Sequence, residues 1–170
     1  MTRSLPGPLL HERRTIRTLT LPALIRLVTE IDDNGPIARQ KGSLQSAFGD
    51  LTPGQLRHAI DSARDLGLIH ADEQAPDRYR LTVRGEALAE VYDTAARWAR
   101  ERQFPDDNSD FVTRVQHTLQ LHGGSLLASG SRPEPSAPHQ MLDEFLQAYS
   151  RLPNYTDARS TQQAEAERAA

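Results

Sequence analysis

Arg78 and Arg80 stand two residues apart in the run Arg78-Tyr79-Arg80-Leu81-Thr82. A β-strand repeats every two residues, so both guanidinium groups would point to one side and Tyr79 and Leu81 to the other. Two guanidiniums on one strand face suit phosphate oxygens. Upstream, Leu56, Ala59, Ile60, Ala63 and Leu66 form a narrow apolar stripe at helical spacing. The same helix turns Gly54, Gln55, Arg57, His58, Asp61 and Ser62 outward, with Thr52 before them. Gln makes a bidentate contact to adenine and Arg one to guanine. His58 and Ser62 reach base edges or phosphates. Gly54, lacking a side chain, permits close approach to a helix N-terminus, which attracts phosphate. Together these residue types could grip and read a DNA duplex.

The bland reading competes directly. Any solvated helix carries polar residues, and Asp61 and Asp65 put negative charge on or near this face. Asp77 offers Arg78 an ion pair, which is worth little when exposed. The net charge is −3, against a protein that coats nucleic acid by bulk charge. The charge is uneven along the chain. Residues 1–100 carry 14 Lys+Arg and 13 Asp+Glu, and residues 101–170 carry 6 and 10. DNA affinity would rest on a few placed arginines.

Other chemistries lack their residues. There is no cysteine, which excludes a disulfide framework, a Cys-ligated zinc site, an iron–sulfur cluster and a thiol nucleophile. His117 and His122 lie about 140° apart around a helix and do not share a face. No Gly-rich phosphate loop, nucleophile elbow or His-Glu-x-x-His run occurs. Neither an enzyme nor a metal or other cofactor is expected. Tyr92, Trp98, Phe104 and Phe111 lie along a long helix and just beyond it. They read as dimer core, or as an effector pocket where that helix meets its dimer mate. No stretch approaches the length of a membrane span, and the N-terminus lacks the apolar core of a signal peptide. The expectation is a soluble, cytoplasmic protein.

The elements that would position these residues follow from periodicity. Leu21, Leu24, Ile25, Val28 and Ile31 predict a helix from Thr20, stopped by Asn34-Gly35-Pro36. A short helix follows over residues 43–48. Thr52, Pro53 and Gln55 make a capped start for the third helix, with a capping box and a Leu51–Leu56 staple, and Gly67 ends it. Residues 68–72 and 78–82 then form a hairpin. Thr82 caps a fourth helix to about Arg102, along Ala87, Leu88, Val91, Tyr92, Ala95, Trp98 and Ala99. Asn108 or Ser109 caps a fifth through Phe111, Val112, Val115 and Leu119, stopped by Gly123-Gly124.

Helix, short helix, capped helix, hairpin and long helix is the order of a winged helix-turn-helix. Leu66-Gly67-Leu68-Ile69, Tyr79-Arg80-Leu81-Thr82 and Gly85-Glu86-Ala87-Leu88 resemble the helix-to-wing-to-helix passage of bacterial regulators of the HxlR, MarR and PadR kinds. Gly35-Pro36 and Trp98 are most similar to the HxlR pattern. The fold class implied is mainly α with a small β-hairpin, a winged helix-turn-helix core plus extra C-terminal helices. Residues 1–19 would be an N-terminal arm or dimerisation segment, in which Arg13, Arg14 and Arg17 are basic. Residues 20–103 would be the DNA-binding domain and 104–122 an additional dimerisation helix. Residues 123–139 would be a flexible linker, 140–152 a C-terminal helix and 153–170 a disordered tail. The resemblance implies a homodimeric transcriptional regulator, a repressor, on a pseudo-palindromic double-stranded operator, with a small-molecule effector where one acts. Its DNA contacts would be Thr52, Gly54, Gln55, Arg57, His58, Ser62, Arg78 and Arg80. The alternative is a winged-helix module that binds protein and no DNA. Thiol sensing, found in some HxlR relatives, has no residue to use here.

Overall fold

Thr52 Oγ1 accepts a hydrogen bond from the Gln55 amide at 3.2 Å, and Gln55 Oε1 accepts one from the Thr52 amide at 2.9 Å. This reciprocal capping box, with Pro53 at the first helical position, starts the helix α4, Pro53–Asp65. Its other end is as local. Gly67 takes φ +67°, which places its amide on the Arg64 carbonyl and that of Leu68 on the Ala63 carbonyl. That is a Schellman stop, satisfying two carbonyls the helix would leave bare. The computed structural model in which these contacts are seen describes residues 7–125 and 137–151.

The other elements in chain order are α1 (Gly7–Leu19), α2 (Pro22–Asn34), β1 (Ile37–Ala38), α3 (Lys41–Ala47), β2 (Ile69–Ala71), β3 (Arg78–Leu81), α5 (Val83–Glu101), α6 (Phe111–Ser125) and α7 (Ala137–Arg151). The protein is mainly helical with one small antiparallel sheet in the order β1-β3-β2. In β3 the alternation holds: Tyr79 and Leu81 are buried, Arg78 and Arg80 exposed. Ile69 pairs with Leu81 and Ala71 with Tyr79. On the other edge Ile37 pairs with Tyr79 and Ala38 with Arg78. The expected two-stranded hairpin is therefore a three-stranded sheet. Two residues are too few to show a period, so β1 left no mark in the sequence.

Gly85 is needed for packing. A Cβ there would lie 2.1 Å from the Leu68 carbonyl oxygen. Thr82 links the two segments, accepting from the Gly85 amide at 3.1 Å and donating to the Gly67 carbonyl at 2.6 Å. From this junction α5 runs through the middle of the molecule, packed on α2, α6 and α7. It buries Leu88, Val91, Tyr92 and Ala95 as expected, and also Ala89 and Ala96. A helix covered on several sides buries more than one stripe.

Three segments differ from their expected form. The N-terminal segment is helical from Gly7. Ile16 and Leu19 are buried, and the helix packs on α6 and α2. Arg14 and Arg17 remain exposed. Second, α6 is capped by Asp110, whose Oδ1 accepts from the Thr113 amide at 2.7 Å, and not by Asn108 or Ser109. It continues through Gly123-Gly124 to Ser125. Glycine weakens a helix by about 1 kcal/mol per residue without forbidding it. Third, α7 begins at Ala137, so residues 137–139 of the expected linker are helical. Residues 126–136 and the expected tail from 153 lie outside the described residues. Leu142, Phe145 and Leu146 of α7 join the same apolar cluster as Ile16, Leu27, Phe48 and Tyr92. The core domain and the added helices thus share one core.

Candidate nucleic-acid interface

The capped start of α4 fixes which side chains face outward. Gly54, Gln55, Arg57 and His58 are exposed, Ser62 is half-buried, and Leu56, Ala59 and Ala63 are buried. At 100° per residue, Gly54, His58, Asp61 and Asp65 lie opposite the buried stripe. Asp61 and Asp65 are both exposed, so the outermost line of this helix is acidic. Arg57 and Arg64, seven residues apart, lie on the flank toward the sheet.

That flank forms one wall of a groove of about 290 Å³. Arg39 and Tyr79 stand across it, and Leu44, Leu56 and Ile60 supply apolar lining. Arg39 is held in place. Its amide donates to the Asp77 carbonyl at 2.7 Å, and its Nη1 donates to the Pro76 carbonyl at 2.8 Å. Its guanidinium carbon lies 5.0 Å from the centre of the Tyr79 ring, within cation–π range. None of Arg39, Arg57 and Arg64 forms an ion pair among the described residues. The single carboxylate lining the groove is Asp61.

The expected contact residues divide under this geometry. Thr52 and Gln55 are committed to each other through the capping box. With one lone pair of Oε1 engaged by the cap, Gln55 keeps the second lone pair and its amide nitrogen for another partner, within the orientation the cap imposes. Gly54 is open: an added Cβ would meet nothing within 4 Å. Arg78 reaches the Pro36 carbonyl at 3.4 Å, across to the β1 side, rather than Asp77. Arg80 Nε lies 3.6 Å from Oδ2 of Asp72, which is buried, so part of its charge is already compensated. The connection from β2 to β3 carries Glu73 and Asp77, both exposed. Sequence reasoning missed Arg39 and Arg64. The seven-residue spacing from Arg57 could have revealed Arg64. Arg39 gave no signal, because its place depends on β1.

The four aromatic residues do not form one pocket. Tyr92 is fully buried in its own chain, where its hydroxyl donates to the Leu19 carbonyl at 2.6 Å. Burial pushes its phenol well above the usual tyrosine range. Trp98 and Phe104 pack edge to face, 6.0 Å between ring centres, and Phe104 is 6.3 Å from the His117 ring. Arg102 covers the Trp98 ring at 4.5 Å. Phe111 is half-buried against the apolar core. Tyr92 is thus a core residue of the single chain, and a site at a helix junction between two copies cannot include it.

Among the described residues no group of three or more His, Asp and Glu side chains is placed to hold a metal ion. No described helix is long and apolar enough to cross a membrane. No protein-family model, curated protein or solved structure matches the chain.

Proposed function

We propose that this protein is a sequence-specific DNA-binding regulator of transcription, built on a winged helix-turn-helix and acting as a homodimer. In this reading α3 and α4 are the helix-turn-helix, α4 enters the major groove, and β2 with β3 forms the wing. The observation that carries the reading is the arginine-lined groove beside the exposed face of α4. Arg57 and Arg64 come from the helix and Arg39 from the sheet side, and none has a carboxylate partner among the described residues. Guanidiniums on both sides of one concavity, uncompensated by an ion pair among the described residues, fit a phosphate backbone. The activity is binding rather than catalysis.

One observation favours a second reading, a module that binds protein. Asp61 and Asp65 on the outer line of α4, with Glu73 and Asp77 near the wing, repel phosphate and would welcome a basic partner.

The test is selection from random and genomic duplexes by the purified protein, followed by fluorescence anisotropy at two salt concentrations. DNA binding predicts affinity that falls steeply with salt. The selected sites should be pseudo-palindromes with half-sites about one helical turn apart. A protein that enriches no sequence and shows no salt-dependent binding is not a DNA-binding regulator.

A further inference from the structure

α5 and α7 lie side by side and leave between them an open groove of about 370 Å³. Its floor is apolar: Val83, Ala87 and Val91 from α5, and Met141, Phe145 and Ala148 from α7. Val83, the first residue of α5, is 84% exposed, and Ala87 one turn later is exposed as well. The sides of the groove are acidic. Glu90 and Glu144 line it, both are exposed, and neither forms an ion pair among the described residues.

The acidity extends beyond the groove. Glu86, Glu90 and Asp93 lie at i, i+4 and i+7, one face of α5. Asp32 and Asp33 close the end of α2 beside them. Burial and then repulsion from Asp93, Asp33, Glu86 and Glu90 hold the Asp32 carboxyl above its usual range. Among the described residues, Arg84, Arg97 and Arg100 are the cations along this part of α5. Arg84 lines one end of the groove and donates to the Leu66 carbonyl at 2.8 Å. Arg97 draws the Asp93 carboxyl partly back down. Carboxylates outnumber cations on this face.

We propose that the groove docks an amphipathic helix of a partner protein, one with apolar anchors on one face and Arg or Lys along its flanks. Two parallel walls of helix with an apolar floor accept a third helix through residues at i, i+3 or i+4, and i+7. The acidic border selects the charge of that helix. A second copy of this chain fits poorly. A two-fold contact puts the same patch on both sides, so one acidic border would face another, and like charges across an interface oppose association. The inference stands apart from the DNA reading, since it uses neither α4 nor the sheet.

The experiment titrates the full chain by calorimetry with two synthetic helical peptides. Both carry Leu at the anchor positions, and one has Arg and the other Glu at the flanking positions. The Arg peptide should bind at least about tenfold more tightly and weaken as salt rises. The double variant Glu90→Lys, Glu144→Lys should reverse that order, and Val83→Ser, which removes apolar floor without adding charge, should weaken the Arg peptide. All three positions are exposed, so the variants should melt like the parent. The proposal is overturned if neither peptide binds, or if both bind equally. It is also overturned if the Lys exchange leaves the order unchanged. Self-association of the parent that Val83→Ser abolishes in sedimentation would assign the groove to a second copy and overturn it too.

Discussion

The hydroxyl of Tyr92 donates a 2.6 Å hydrogen bond to the carbonyl of Leu19. Leu19 is the last residue of α1, where carbonyls lack helical partners, and both residues are buried. This contact ties α1 to the central helix. Tyr92→Phe removes the donor and leaves a buried carbonyl unpaired, so it should cost about 1–3 kcal/mol in urea unfolding. The pH dependence has a definite sign. The phenol's folded pKa lies above its unfolded value, so its contribution is complete below about pH 10 and is lost as pH rises past that point. The parent should therefore lose stability above about pH 10 more steeply than Tyr92→Phe. Parallel losses would show that the hydroxyl is not buried.

Two glycines should respond oppositely to alanine. A Cβ at Gly85 would collide with the Leu68 carbonyl oxygen at 2.1 Å, whereas one at Gly54 would meet nothing within 4 Å. Gly85→Ala must push the Leu68 backbone away from α5, and should cost about 3 kcal/mol or more. Gly54→Ala should be neutral or stabilise by up to about 1 kcal/mol, because alanine favours the helix. Thermal melts of the two variants check this. Equal effects would mean that the contact between Gly85 and the Leu68 carbonyl is looser than described.

These elements differ in how legible they were, and the difference is one of range. The limits of α4 rest on Thr52, Pro53, Gln55 and Gly67, each acting within a few residues of itself, and so could be read directly. The two faces of β3 follow from strict alternation. By contrast, β1 is two residues long and exists through its pairing with Tyr79 and Arg78. In α1, the arginines suggested a solvated arm, while the burial of Ile16 and Leu19 comes from distant helices. The sequence puts the cap of α6 at Asn108 or Ser109, whereas Asp110 takes that place. Arg114, itself buried, donates to the carbonyls of Phe104, Asp106, Asp107 and Ser109. It thereby shapes the loop so that Asp110 is the residue that caps. The candidate site shows the same split. Gln55 was legible both as a cap and as a base reader, and in the free protein the cap holds its oxygen. Arg39 enters the site through β1 and was as hidden as that strand.

The carboxylates between α2 and α5 should contribute less to stability at neutral than at mildly acidic pH. Asp32 is raised by burial and then by Asp93 and its other neighbours, and Asp93 by burial and then by Asp33. A carboxyl whose folded pKa is raised contributes stability below its unfolded pKa of about 4, and loses it as pH rises through the folded value. Asp32 also stands in the last turn of α2, where the helix dipole disfavours negative charge. Asp32→Asn should raise the melting temperature at pH 7, and the gain should vanish near pH 4. Asp110 works in the opposite sense. The Thr113 amide lowers its carboxyl, so its contribution is present at pH 7 and is lost as pH falls. A gain for Asp32→Asn that is the same at both pH values would rule out repulsion as its cause.

Within the DNA-binding reading, the arginines should not be equal. Arg39, Arg57 and Arg64 have no ion-pair partner among the described residues, whereas Arg80 lies 3.6 Å from Asp72. Arg39→Ala and Arg64→Ala should each weaken binding to all sequences alike and lower the salt slope by about one. Arg80→Ala should do less. Arg57→Ala, on the reading helix, should also change which bases are preferred. Asp61→Asn removes a carboxylate from the groove and should strengthen binding without changing preference. Gln55→Ala needs a stability control, since loss of the capping box should cost about 1 kcal/mol whatever happens to DNA. Anisotropy titrations of each variant on one selected duplex and one unrelated duplex separate these effects. If Arg80→Ala costs as much as Arg39→Ala and Arg64→Ala, the backbone runs along the open face of β3 and not through the groove.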